Sequence, residues 1–268
     1  MRVIGLVAWH VFKESVRDKV LYNLVMFAVL LIAASFLIGQ LTAGQDIKII
    51  KDLGLAASNV FGLFIAVFIG VGLVWKEVDR RSVYALLVKP IRRHAFIAGK
   101  FAGLALTLVV NLAVMAAALY VVLAGMAWMQ PVLSKASVEA PVLDPNLLKA
   151  YLLIFVQLLL VTAIALFFST FSSPMLSAAL TFGLYIVGHF NDDLAHFETV
   201  LTSRAAAWVA RVLYYALPSL APFDVKAAVV HGQPVPAGYV VLTCGYGLLY
   251  AAAVVAVAML IFSRRDFK

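Results

Sequence analysis

The chain contains 268 residues, of which 65% are hydrophobic and only 13% are charged. A soluble domain is closer to about half apolar and about a quarter charged. A water-soluble fold could not bury this much apolar surface, so the composition predicts a membrane protein. The net charge of +8 at pH 7 would suit a nucleic-acid-binding protein, but the positions of the charges argue against that class. The single cysteine, Cys244, excludes an internal disulfide and a cysteine-based metal cluster.

Residues 3–19 are predicted to form an amphipathic elbow helix on the membrane surface. Its polar residues recur at steps of three and four: His10, Lys13, Glu14, Arg17 and Asp18. Two interpretations remain open, a generic interfacial anchor or a helix that also contacts a cytoplasmic partner through Lys13, Glu14 and Arg17. Because charges interrupt the apolar stretch and no small-residue cleavage site follows, we expect no signal peptide.

Six stretches are long and apolar enough to cross a bilayer, since a span needs about 20 residues. They are residues 20–40, 56–75, 103–125, 147–171, 174–190 and 238–262. Only Ser172 and Ser173 separate the fourth and fifth spans, and Pro174 is favourable in a first helical turn, so these spans should form a tight hairpin. The whole chain, residues 1–268, is therefore expected to be a single transmembrane domain of the all-α class.

Residues 194–217 are apolar but contain charged side chains, including Arg204 and Arg211. A seventh span here would also place the basic C-terminus outside the cell. We expect this segment to form a helix at the outer face, between the fifth and sixth spans, either interfacial or re-entrant.

The basic residues orient the spans. Fourteen of the 21 Lys and Arg residues lie in the N-terminal segment, in the loop after the second span or at the C-terminus, and seven lie on the other side. With acidic residues included, the two sides carry net charges of +9 and −1. Cytoplasmic loops are enriched in Lys and Arg, so both termini are predicted to be cytoplasmic. The basic charge is thus a topology signal, and no nucleic-acid partner is expected.

The loop after the second span, WKEVDRRSVYALLVKPIRRHAFIAGKF, is the most informative segment. It begins with charged residues and continues as a short amphipathic helix over residues 79–87. Pro90 should end this helix, since proline lacks the backbone N–H and disfavours helix at the preceding residue. A short cytoplasmic helix held between two spans can transmit a push from a soluble motor into the bilayer.

This loop resembles that of the ABC type-2 transporter permeases, also called type V exporters. The residues that match the pattern of that family are Glu77, Arg80, Ser82, Leu86, Leu87, Pro90, Arg93, Gly99 and Lys100. The segments FKESVRDKVLY and YYALPSLAPFD are similar to the elbow and outer loop of the family. The ending IFSRRDFK is similar to that of a branch labelled multi-copper enzyme maturation permeases. Arg81-Ser82 replaces a Gly-Thr that is common elsewhere in the family, which also favours this branch.

The resemblance implies a permease subunit of a bacterial inner-membrane exporter, not an enzyme. Gly99-Lys100 lacks the preceding glycine and the following Ser or Thr of a P-loop. ATP and Mg²⁺ should therefore be bound by a separate cytoplasmic ABC ATPase, in two copies. The permease would pair with a second copy of itself or with a close homologue. The residues expected to couple it to the ATPase are Glu77, Asp79, Arg80, Arg81, Ser82, Leu86, Leu87, Pro90 and Arg93.

Three weaker patterns have two interpretations each. Phe61, Phe64 and Phe68 share roughly one face of the second span, where they would line a pathway or simply contact lipid and neighbouring helices. Asn111 and Gln157 would bond across helices or contact substrate. A metal ion at the outer rim would need the cluster His189, Asp192, Asp193 and His196. Residues of these types more often cap helices in contact with water, and we expect that role here. Copper transport would need thiolate or thioether ligands, and of the methionines only Met126 and Met129 are suitably close in sequence.

Two other functional classes compete with transport. An ABC-like complex of the same architecture could do mechanical work on lipid or an envelope protein without net transport. A membrane-embedded enzyme would need an acid pair, a nucleophile with a base, or paired metal ligands, and the sequence offers no convincing cluster of these. The cargo is not specified by the sequence.

Overall fold

A computed structural model describes residues 2–40, 46–79, 93–129, 142, 144–190 and 217–264, and their side chains except at residues 2, 73–79, 93 and 264. Within these ranges the chain is helical and contains no β-strand. The helices are α1 (Arg2–Ser15), α2 (Lys19–Gln40), α3 (Asp46–Asp79), α4 (Arg93–Met129), α5 (Asn146–Ser169), α6 (Pro174–His189), α7 (Lys226–Val230) and α8 (Ala237–Arg264), with a 3-10 turn at Ala221–Phe223.

Five of the described helices, α2, α3, α4, α5 and α8, are long and apolar enough to cross a membrane, and α6 is a shorter apolar helix. The predicted class, an all-α polytopic membrane protein, is confirmed. The exact number of complete crossings stays a prediction, because α6 has only 16 residues. The predicted coupling helix over residues 79–87 lies outside the described residues apart from Asp79, and the predicted outer-face helix over residues 194–217 lies outside them apart from Leu217.

The elbow helix α1 is separated from α2 by a capped turn. It ends at Ser15, whereas the sequence pattern runs on to Lys19. The carboxylate of Asp18 then accepts the backbone N–H of Val20 at 2.9 Å, as an N-cap residue does for the second residue of a helix. The polar stripe of the sequence therefore continues past the end of α1 into the turn that precedes α2.

Helices α3 and α4 are longer than their apolar stretches. They contain 34 and 37 residues, which correspond to about 51 and 55 Å at 1.5 Å per residue. Both lengths exceed the hydrocarbon thickness of about 30 Å. Helix α3 begins at Asp46 rather than at Ala56, and α4 begins at Arg93 rather than at Gly103. Each is therefore one continuous helix that is longer than the hydrocarbon core of a bilayer is thick.

Helix α5 lies at the centre of the bundle, and most of its side chains are buried against α3, α4 and α8. Close approach to α3 depends on glycines, because a Cβ atom at Gly62 would overlap Leu158 and one at Gly70 would lie 3.0 Å from the Cβ of Ala165. Small residues serve this purpose at helix contacts in membranes. In contrast, α2 and α8 expose most of their apolar side chains, as expected of helices that contact lipid or another subunit.

Helix α6 ends inside the bundle. It follows α5 after Ser173, which is extended, and Pro174, which opens the helix, as the predicted hairpin requires. At 1.5 Å per residue its 16 residues span about 24 Å, and its last residue, His189, contacts Gln157 of α5. Beyond this point the backbone N–H of Leu220 donates to the carbonyl of Gly188 at 2.7 Å. Non-helical backbone at membrane depth is tolerated only where protein or a water-filled cavity surrounds it.

The non-helical segment is held by α5 and α8. Phe223 of the 3-10 turn is buried, and a Cβ atom at Gly247 of α8 would lie 2.8 Å from its ring and 2.6 Å from Val156. Helix α7 follows and ends in a Schellman motif, in which Gly232 adopts a φ of 71° and the N–H of Gln233 donates to the carbonyl of Ala228. This compact segment returns the chain to the start of α8.

Candidate functional site

One end of the bundle, which we call the α1 end, brings together α1, the beginning of α4 and the end of α8. Gly99 and Gly103 of α4 face α1 without side chains. A Cβ atom at Gly99 would lie 2.7 Å from the Cβ of Val7, and one at Gly103 would lie 2.6 Å from the carbonyl oxygen of Ala8. These distances are far shorter than ordinary contacts of about 3.5–4.0 Å. Glycine at both positions therefore permits α1 to lie directly on the backbone of α4.

The beginning of α4 is also attached to α8. The rings of Phe96 and Phe262 stack with centroids 6.0 Å apart, and the Nζ atom of Lys100 lies 4.8 Å from the centroid of Phe96. Lys100 is fully buried, with 0% exposure, so its charge is enclosed among these helices. A cation over an aromatic ring is stabilised most when it is desolvated. The start of α4 is thus fixed on two sides, by α1 and by α8.

The predicted coupling residues lie at and between the ends of α3 and α4. Glu77 and Asp79 belong to the last turns of α3, and Arg93 is the first residue of α4. The other predicted coupling residues lie outside the described residues: Arg80, Arg81, Ser82, Leu86, Leu87 and Pro90. The structure therefore describes the two long helices on either side of this segment, α3 and α4. Helix α4 packs against α1.

The elbow helix has three distinct faces. Val7 and Val11 contact α4 at Gly99 and Gly103, whereas Leu6 and Trp9 are 70% and 60% exposed. The predicted elbow residues Lys13 and Arg17 are exposed, and Glu14 is half-buried. One apolar face therefore binds protein and another remains available for the membrane interface. The amphipathic pattern could not distinguish these two roles.

Two of the predicted pathway residues contact each other and α6. The rings of Phe64 and Phe68 stack with centroids 6.0 Å apart, and Phe182 of α6 lies 5.6 and 6.4 Å from them. Phe68 is 47% exposed. Phe61 lies about two turns before Phe68 on α3 and is half-buried against the core. The structure thus places an aromatic cluster of Phe64, Phe68 and Phe182 on the surface shared by α3 and α6.

A second group of polar side chains, which we call the mid-bundle cluster, lies where α6 ends. It consists of Asn59, Gln157, Tyr185 and His189. The Nδ1 atom of His189 lies 2.9 Å from the carbonyl oxygen of Tyr185, and its Nε2 atom lies 3.0 Å from Nε2 of Gln157. A carbonyl oxygen can only accept, so Nδ1 carries the proton, and Nε2 accepts from the Gln157 amide.

Asn59 connects α3 to the same cluster. Its Nδ2 atom donates to the hydroxyl of Tyr185 at 3.2 Å, and the rings of Tyr185 and His189 lie 4.5 Å apart. The Oδ1 atom of Asn59 is buried and has no hydrogen-bond partner in the described part of the chain. An unsatisfied buried acceptor costs about 1–3 kcal/mol. The cluster therefore presents one buried acceptor, Oδ1 of Asn59, that has no hydrogen-bond donor among the described residues.

The neighbouring residue, Ser58, has its hydrogen bonds satisfied. Its hydroxyl donates to the carbonyl of Gly54 at 2.8 Å, so the hydroxyl of Tyr151, 3.0 Å away, donates to the Ser58 oxygen. This bond joins α3 and α5 directly beside Asn59. Asn111, by contrast, donates to the carbonyl of Thr107 in its own helix at 2.7 Å. Of the two polar span residues singled out from the sequence, Gln157 bonds across helices.

The weak metal candidates are only partly described. Both ring nitrogens of His189 contact the protein groups given above, whereas Asp192, Asp193 and His196 lie outside the described residues. Sequence reasoning missed Asn59 and Tyr185 altogether. An asparagine within an apolar span is a signal that would have identified Asn59, since such groups usually bond across helices.

Comparison with known families gives one result that covers nearly the whole chain. Residues 6–267 match the sequence model of a family described as ABC-2 family transporter protein. A comparison with curated proteins finds no match. The family match agrees with the resemblance drawn from residues 77–100, but it does not identify the branch of the family.

Proposed function

We propose that this chain exports its cargo and is driven by a separate cytoplasmic ATPase. The chain belongs to the ABC-2 family of transporter proteins and is therefore a transmembrane permease subunit of an ABC transporter. The observation that supports the proposal is that residues 80–92 connect two long helices, of 34 and 37 residues. A push on this segment would reach the bilayer through these two helices.

The charge distribution supports an orientation with the α1 end in the cytoplasm. Lys13, Arg17 and Lys19 are exposed at this end, and the basic loop and C-terminus follow α3 and α8 there. Cytoplasmic segments of membrane proteins are enriched in such residues. Both termini then lie in the cytoplasm, and the membrane is the inner membrane of a bacterial cell.

The contacts at the α1 end suggest how the push would be distributed. Because Gly99 and Gly103 place α4 directly on α1, these two helices would move together. The aromatic cluster of Phe64, Phe68 and Phe182 lies on α3 and α6, outside this group. We propose that cargo passes along this aromatic surface, between the permease and a second copy or close homologue. ATP and Mg²⁺ stay in the ATPase.

We propose that Leu86 and Leu87 form the apolar contact with the ATPase. Burial of a leucine is worth about 1.5–3 kcal/mol, and an unpaired carboxylate at the same position adds a desolvation penalty. The double variant Leu86→Asp/Leu87→Asp should insert normally but lose most of its ATPase during purification. The matched control is Leu86→Met/Leu87→Met, which keeps the volume and apolar character and should retain the ATPase. Wild-type co-purification and ATPase activity in the Asp variant would show that the loop is not the docking element.

The direction of transport needs a separate test, because docking alone does not distinguish export from import. Fluorescent amphiphiles offered to inside-out vesicles that contain the complex should accumulate only with ATP. Phe68→Ala should reduce this uptake while ATPase co-purification is unchanged. Uptake confined to right-side-out vesicles would contradict export, and ATP hydrolysis that no cargo stimulates would favour mechanical work on the envelope.

A further inference from the structure

A cavity of about 260 Å³ lies between α1, α2 and α3 at the α1 end. Its polar wall contains the carboxylates of Glu14 and Asp18 and the hydroxyl-bearing residue Ser15, and its apolar wall includes Leu21, Leu24 and Phe68. Within the described part of the chain, the charged residues that line it are both acidic. The cavity therefore combines negative charge, an aromatic ring and aliphatic side chains at the place where the chain enters the membrane.

Ser15 provides a second, independent observation. It is 2% exposed, and its Oγ atom has no hydrogen-bond partner among the described residues. Other buried hydroxyls donate to a carbonyl of the preceding turn, as Ser58 does to Gly54 and Thr107 does to Gly103, whereas those of Ser172, Ser177 and Ser219 also lack a partner among the described residues. Ser15 lines the cavity. An unsatisfied buried polar group in a cavity wall indicates an absent partner.

The cavity adjoins an open depression on the polar face of α1. The two share Glu14 and Asp18, and the depression adds His10 and the exposed cations Lys13, Arg17 and Lys19. The two carboxylates thus line both depressions, and the three cations line the outer one alone. A simple anion would be repelled by the inner carboxylates, and a simple cation would be repelled by the rim. The arrangement is complementary to a zwitterion with a leading ammonium group and a trailing phosphate.

We infer that this pair of depressions binds the headgroup of a zwitterionic phospholipid of the adjacent leaflet. Its ammonium group occupies the cavity beside Glu14, Ser15 and the Phe68 ring, since aromatic faces attract ammonium groups. Its phosphate lies among Lys13, Arg17 and Lys19. The acyl chains follow Val20, which is 55% exposed, and the exposed part of Phe68 toward the lipid. The bound lipid fixes the turn between α1 and α2 at headgroup depth, whichever way cargo moves.

The test uses the purified full-length protein in detergent and native mass spectrometry. The probe is dioctanoyl phosphatidylethanolamine, compared with dioctanoyl phosphatidylglycerol, which lacks the ammonium group. Glu14→Gln should weaken binding of the ethanolamine lipid at least about tenfold, the loss expected for a hydrogen bond to a charged group. The matched control, Asp52→Asn, removes an exposed carboxylate elsewhere on α3 and should leave binding unchanged.

A second variant guards against an indirect effect of the charge change. Gly72 lies in the cavity wall, and a Cβ atom there would meet no atom within 4 Å. Gly72→Leu should therefore fill the cavity without disturbing the helices, and it should also weaken binding of the ethanolamine lipid. The inference is overturned if both variants bind this lipid as the wild type does, or if the wild type binds the glycerol lipid equally well. Competition by soluble phosphoethanolamine as strong as by the lipid would show that the ligand is a free headgroup.

Discussion

The contact between α1 and α4 leads to a quantitative prediction for Gly103→Ala. The new Cβ atom would lie 2.6 Å from the carbonyl oxygen of Ala8 and 2.7 Å from the Cβ of Val11, so α1 must move away by about 1 Å to reach normal contact distance. Overpacking of this kind costs about 1–3 kcal/mol. Helix α4 is helical whether or not α1 is docked, so the higher helix propensity of alanine does not offset this cost. The docking of α1 should therefore weaken by about 1–3 kcal/mol, which is a factor of about 5–150.

The assay measures how often α1 leaves α4. In a Cys244→Ala background, Val11→Cys introduces a thiol at a position that is 3% exposed, and cysteine keeps the Cβ atom that limits the approach. Labelling by a water-soluble maleimide should be about 5–150 times faster with Gly103→Ala than without it. The control is Gly125→Ala in the same helix, where a Cβ atom meets no atom within 4 Å. Equal labelling rates in the two variants would refute the close contact.

Three further predictions concern topology and the mid-bundle cluster. Arg92→Cys should be labelled only by reagents that reach the cytoplasm, and labelling from outside the cell would reverse the proposed orientation. A crossing helix over residues 194–217 would place Arg204 and Arg211 in the membrane, at an insertion cost of about 2.5–3.5 kcal/mol each. The segment should therefore stay at the outer face, and Ala207→Cys should be labelled from outside the cell. Labelling from the cytoplasm alone would contradict this placement. Gln157→Leu and His189→Leu should each destabilise the protein, and the double variant should be less destabilised than the sum by about 0.5–1.5 kcal/mol in detergent unfolding. Strict additivity would mean that the two side chains do not interact.

The sequence is informative about the spans because the bilayer requires long apolar helices. It is less informative about where helices end. Residues 46–55 and 93–102 include charged side chains that lower hydropathy, yet the structure continues α3 and α4 through them. The side chains of Lys51 and Lys100 are buried, so these polar residues can belong to packed helices.

The roles of individual residues depended on contacts that sequence spacing does not specify. The sequence pattern places Gly99 and Lys100 in a loop motif. In the structure, Gly99 of α4 packs against Val7, and Lys100 is buried beside Phe96. The four-residue spacing of Gly99 and Gly103 is a small-residue pattern typical of close helix contacts, but it names no partner. Asn59 and Tyr185 are 126 residues apart in the chain. Only the return of α6 beside α3 brings them together.

The sequence places the end of the fifth apolar stretch at residue 190, and α6 ends at His189; the contacts at that end are what the sequence does not specify. The apolar stretch of α6 is nearly as long as the minimum for a span, and hydropathy alone cannot show that it stops beside Gln157. What fixes its end is the hydrogen bond from Leu220 to Gly188 and the close contact of Gly188 with Pro218 and Leu220. Pro218 and Leu220 follow α6 in the sequence, and the path of the chain returns them to Gly188.

The central claim is that a separate ATPase acts on the permease at the loop between α3 and α4. Photo-crosslinking in intact cells tests it directly, with a benzophenone amino acid placed at Leu87 or, as a control, at Met129, which is 67% exposed at the other end of α4. The account predicts an adduct with an ABC ATPase subunit, identified by mass spectrometry, from position 87 and none from position 129. An adduct from position 129, or its absence from position 87 in an assembled complex, would contradict the account.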